Sequence, residues 1–196
     1  PAHRARGLGP LADGRIRVLL GMIALDTFSF GCLEVTAVAA ASGQGGAGVF
    51  TSLHALGGVV SGIAYGARTW PGGRRAQLVV LHAGAGLTLA GGAFAPPAGA
   101  GLVAIGAVFL AAGLLTGPVD TVQQVLVGEV SAPAQRIEAF AWVFSVMWVG
   151  FGVGTTVAGR LVEVGGTTWT LLAAALAQLG IVLVVTGLLR PATPAG

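Results

Sequence analysis

LGGVVSGIAYGARTWPGGRR, residues 56–75, is the stretch on which the fold turns. Its first half is an apolar helix with Gly58, Gly62 and Gly66 four residues apart, leaving one side bare where another helix can approach closely. Its second half breaks at Pro71-Gly72-Gly73 and gathers Arg68, Arg74 and Arg75. Apolar sequence resumes at once with AQLVVLHAGAGLTLAGGAF. An apolar helix, a tight basic turn and a second apolar helix describe a membrane hairpin with its turn on the cytoplasmic side.

Composition agrees with a bilayer environment. Of 196 residues, 55% are hydrophobic and 9% charged, with a mean hydropathy of +0.87. Soluble domains carry roughly 25% charged residues, so this chain lacks the polar surface to remain in water, and an integral membrane protein is expected. The net charge of +3 does not point to nucleic acid, because the arginines sit at helix ends and form no stripe along one face. All ten basic residues are Arg, and neither Lys nor Asn occurs. With the load of Ala, Gly and Val, that is the composition of a GC-rich bacterial genome, and the bacterial cytoplasmic membrane is the expected location. Cys32 is alone in an apolar segment, which leaves no disulfide and no cysteine metal site. Nothing in the spacing of His, Cys, Asp and Glu implies a metal or cofactor.

Six stretches are long and apolar enough to cross a core of about 30 Å: residues 16–41, 48–67, 76–94, 101–127, 140–161 and 168–189. Turn-like breaks separate them at 42–46, 69–73, 95–99, 129–136 and 163–167. Residues 1–15 read as a basic cytoplasmic linker, 16–190 as the transmembrane domain and 191–196 as a cytoplasmic tail. With the turn at 68–75 inside, Arg4, Arg6, Arg15, Arg17, Arg136 and Arg190 are also inside and only Arg160 is outside. Both termini are therefore expected in the cytoplasm.

A weak repeat relates the second and fifth stretches. Each runs from a serine (Ser52, Ser145) through glycines to a terminal arginine (Arg68, Arg160), yet they cross in opposite senses. Two inverted three-helix units would give that pattern, and the rival reading is that Gly-rich helices simply look alike. Charge inside the spans follows the same division: Asp26 and Glu34 on the first stretch, Asp120 on the fourth, none on the third or sixth. The expected fold is all-α and integral to the membrane, six helices as two inverted three-helix units.

From about Arg15 to Arg190 the chain resembles the C-terminal six-helix half of a major facilitator superfamily transporter, close to the bacterial drug-efflux-like proton antiporters. The resemblance rests on F30-G-C-L-E-V35, on G58-V-V-S-G-I-A-Y-G-A-R68 followed by W70-P-G-G-R-R75, and on R136-I-E-A-F-A-W142. Arg68, Gly73, Arg74 and Arg75 resemble the family's Gly-x-x-x-Asp-Arg-x-Gly-Arg-Arg loop, with Gly66 where the acid would stand and a longer segment before Arg74. The resemblance implies twelve helices in two halves with substrate bound between them, so the expected partners are the N-terminal half or a second copy, the lipid bilayer, a small-molecule substrate and protons.

Three acids could carry chemistry. Asp26 lies about 15 Å into its helix, where a charge costs about 2.5–3.5 kcal/mol and must face a cavity, pair or stay protonated; the alternative is a neutral acid bonded within the packing. Glu34 is nearer the outer face, within the family-like stretch. Desolvation disfavours a charged carboxylate, which is the condition for proton exchange near neutral pH, and Glu34 is the first choice for that role, with Asp26 second; the bland reading of Glu34 is a wet interfacial acid. Asp120 follows Pro118, and with Gln123 and Gln124 could line a polar face or merely pack at the inner vestibule. Trp142, Met147 and Trp148 could wall an apolar substrate or serve as interfacial anchors. His54 and His82 read as core or interface histidines. Gly150 and Gly154, like the stripe on the second stretch, are expected helix contacts.

Proton-coupled export of a small apolar or amphipathic compound is the leading expectation. An intramembrane serine protease would need a Gly-x-Ser-x-Gly serine and a late histidine, neither of which occurs, so no enzyme is expected. A small self-associating six-helix protein with a structural or channel role is the alternative.

Overall fold

The computed structural model describes residues 9–41, 46–94 and 100–188, and all regular structure in them is helical. The loops expected around 42–45 and 95–99, the residues before Gly9 and the tail after Leu188 lie outside the described residues. After a 3-10 turn at Gly9–Ala12, α1 spans Gly14–Ala40, α2 Ala47–Gly66, α3 Arg74–Ala93, α4 Ala100–Val130 and α5 Arg136–Leu188. Five helices are long and apolar enough to cross a membrane. α1 starts two residues before the expected boundary because Asp13 caps it, its carboxylate accepting the Arg15 backbone N–H at 2.8 Å.

The expected fifth and sixth stretches form one 53-residue run broken only at Gly165 and Gly166. Unbroken, that run would be about 80 Å long, far beyond a bilayer core. Contacts show the chain reversing there. Gly150 and Gly154 in the first segment (136–164) meet Ala24 and Phe28 of α1, in parallel. In the second segment (167–188), Thr170, Ala174 and Gln178 bond Thr36, Ser29 and Asp26, antiparallel to α1.

The remaining contacts follow an exchange rule. α2 lies parallel to α4, just as the first segment of α5 lies parallel to α1. α3 runs antiparallel to α4 through Gly84–Leu115 and Gly92–Val108, just as the second segment of α5 runs antiparallel to α1. α3 also pairs with that second segment. Exchanging α1 with α4, α2 with the first half of α5 and α3 with its second half maps these contacts onto one another.

Both parallel pairs are held by backbone-on-backbone approach. A side chain at Gly113 or Gly117 of α4 would overlap the carbonyl oxygens of His54 and Gly58 on α2. One at Gly150 or Gly154 would overlap those of Ala24 and Phe28. Gly57 and Gly31 complete the approach from the facing helices, where a Cβ would lie 2.6 Å from Leu110 O and 2.5 Å from Phe151 O. On the expected stripe, Gly58 and Gly62 are in ordinary contact with Gly113 and Gly117 at 3.8 and 3.7 Å, whereas Gly66 has nothing within 4 Å. The tight contact is thus one residue off the stripe, at Gly57, because the α2–α4 seam runs along that side.

One end of the bundle collects the starts of α1, α3 and α5 and the ends of α2 and α4. Of the seven arginines among the described residues, Arg15, Arg17, Arg68, Arg74, Arg75 and Arg136 lie at that end and Arg160 at the other. Gly73 is the N-cap of α3. Arg74 pairs with Glu129 at the end of α4, and Arg75 donates to Val185 O at 3.1 Å and Thr186 O at 2.6 Å, closing the last turn of α5. Both partners of the Arg74–Glu129 pair are about half exposed, so Glu129→Gln should lower stability by no more than about 1 kcal/mol in a thermal-unfolding series.

Candidate functional site

An open cavity of about 690 Å³ lies at the level of the Gly seams. Four elements put polar groups on its wall: Asp26, Thr27 and Ser29 from α1, His54 from α2, Thr116, Asp120 and Thr121 from α4, and Gln178 from the second segment of α5. Phe30, Leu33, Val59, Ile63, Leu89 and Met147 supply apolar surface. None of the arginines lines it. α1 and α4 both reach this cavity, with α2 and the first segment of α5 packed closely against them at the glycine seams.

Asp26 is about 18 Å along α1 from its start and Asp120 about 15 Å before the end of α4, so both acids sit at a similar depth from the arginine-rich end. Asp26 is only 8% exposed. Its Oδ1 accepts the Gln178 Nε2–H at 2.7 Å, and Gln178 Oε1 meets His82 Nδ1 at 2.6 Å. Asp120 is exposed at the cavity wall. Pro118, the residue after Gly117 at the end of the seam, leaves α4 continuous, and Thr121 bonds back to Gly117 O at 3.1 Å. Ser29 donates to Ala174 O at 3.2 Å. His54 stands 3.5 Å from the Thr116 hydroxyl and against the ring of Phe30. A cavity with two carboxylates, an imidazole and apolar walls can hold a small molecule with one positive or proton-bearing nitrogen or phosphorus centre in an oily frame.

Of the acids singled out in the sequence, Asp26 and Asp120 meet in this cavity. Glu34 is half-buried beside Thr51, two turns further along α1, and does not line it. Gln123 is buried away from the cavity, with its Nε2 unpartnered. Trp142 is exposed on the outside of α5; Trp148 is exposed too, edge-on to Phe144 and Phe151, and only Met147 of that group reaches the cavity. Arg68 stands exposed at the turn without a side-chain partner among the described residues. His54, Thr116 and Gln178 were not read as site residues. Each is a lone polar group in an apolar helix, and no spacing within one helix shows that three helices aim them at one point. No family model matches the chain, and no curated protein is significantly similar to it.

Proposed function

We propose that the chain is half of a secondary transporter of the major facilitator type, moving a small amphipathic cation or weak base through the bilayer in exchange for protons. The observation that supports it most is the mid-span cavity in which Asp26 and Asp120, from two exchange-related helices, face one space with no basic side chain on its wall. Isolated acids within an apolar span are expensive and favour a cavity that a cation or proton occupies. The exchange pattern of helix contacts is what two inverted three-helix units produce around such a midplane site. In this reading the chain crosses six times, the break at Gly165–Gly166 is an outer turn, and the arginine-rich end is cytoplasmic.

Reporters inserted at Gly73 and at Gly166 test the threading. They should report opposite sides of the membrane, cytoplasmic at Gly73; the same side for both would remove the six-crossing arrangement. Transport is tested in proteoliposomes containing the full protein: an imposed pH gradient should drive tetraphenylphosphonium movement, and an uncoupler should abolish it. Movement indifferent to the gradient would sink proton coupling.

One observation favours self-association as a second reading. α2 exposes Leu56 and Val60, and the first segment of α5 exposes Phe144, Trp148 and Val153, all off the cavity wall. In a transporter that face receives the other six-helix half; in the alternative it receives a second copy.

A further inference from the structure

The chain of side chains behind Asp26 has a direction. Gln178 is 2% exposed and His82 fully buried, so neither exchanges partners with solvent. Gln178 Nε2 faces Asp26 Oδ1, and Gln178 Oε1 faces His82 Nδ1. An amide oxygen only accepts, so His82 Nδ1 must carry the proton. His82 Nε2 then bears a lone pair, and it is buried with no hydrogen-bond partner. The reversed chain would need a proton on Nε2, leaving a buried N–H donor without an acceptor, the costlier of the two orphans. Every group in the row therefore points its donor towards Asp26.

We infer that His82, held in its Nδ1–H tautomer, is a positioning residue: it locks the Gln178 amide so that an N–H, never a carbonyl, meets Asp26. That occupies Oδ1 from behind and leaves Oδ2, which makes no hydrogen bond among the described residues, for the cavity. The other titratable groups facing Asp26 are His54 from α2 and Asp120 from α4; α3 contributes only His82, and the α5 residues at the cavity, Met147 and Gln178, do not titrate. The geometric part of this inference stands without the transport reading; the value of a free Oδ2 to a cation rests on it.

The test is nitrogen-15 and carbon-13 magnetic resonance on the full protein in bilayers, labelled at His and Asp, with His82→Asn and Asp26→Asn identifying the two resonances. His82 should show a protonated Nδ1 and an unprotonated Nε2, whereas free imidazole prefers the opposite tautomer. Gln178→Leu should release His82 to that preference. His82→Leu should move the Asp26 carboxyl resonance while leaving Asp13 unmoved, and His82→Asn, whose amide N–H can stand where Nδ1–H stood, should return it. A wild-type His82 protonated at Nε2, or an Asp26 resonance indifferent to His82→Leu, overturns the inference. Neither readout needs a transported ligand, so failure of transport leaves this result standing on its own.

Discussion

Gly154→Leu should prevent the bundle from assembling, and even Gly154→Ala should lower its stability by about 1–3 kcal/mol, the usual range for overpacking. A Cβ at this position overlaps the Phe28 carbonyl oxygen, which belongs to a helix backbone and cannot rotate aside. α1 would have to withdraw from α5, and because Gly150 grips the same helix one turn earlier, the seam would open along its length. Gly113→Ala on the α2–α4 seam should behave alike. Gly152→Ala and Gly66→Ala are the controls: nothing lies within 4 Å of either, and a methyl there should be neutral or slightly helpful to the helix. The measurement is thermal unfolding in detergent or lipid. Equal midpoints for Gly154→Ala and Gly152→Ala would show that the seam is not what holds α1.

Asp26→Asn is expected to have the largest effect on activity. The substitution keeps the shape and removes the charge from a cavity whose wall has no other buried acid. Close charge pairs in recognition sites contribute at least about 1.5 kcal/mol, so tetraphenylphosphonium binding should weaken roughly tenfold or more. Asp120→Asn should weaken it as well, and the double variant should lose proton-driven movement. Glu34→Gln should leave both unchanged, since Glu34 does not reach the cavity. That reverses the order of importance expected from sequence. Normal binding and coupling in the double variant would make both acids structural.

Helix positions were legible to within a few residues because apolar length and Gly/Pro punctuation are local properties. Asp26 and Asp120 were legible for a similar reason: a carboxylate deep in an apolar run is costly wherever the helix turns. For Glu34 the depth and the motif were visible in the sequence, while its direction, off the wall of the cavity, was not. Gly113 and Gly117 carry the same four-residue spacing as Gly58 and Gly62 and could have been found by extending that search to the fourth stretch. Gln178 and His82 could not. Their significance lies in a meeting across 96 positions of sequence, and each alone is an ordinary polar residue on an apolar helix.

The turn at Gly166 uses glycine differently from the seams. At Gly113, Gly117, Gly150 and Gly154 the need is for small size, since any side chain strikes backbone. At Gly166 there is open space, nothing within 4 Å, yet φ is +64° and ψ −157°, a region essentially closed to L-residues. Those angles are the mirror image of extended polyproline geometry. What this position excludes is handedness: the backbone angles are ones a D-residue prefers, while L-alanine, the smallest chiral residue the ribosome can offer, would be strained there.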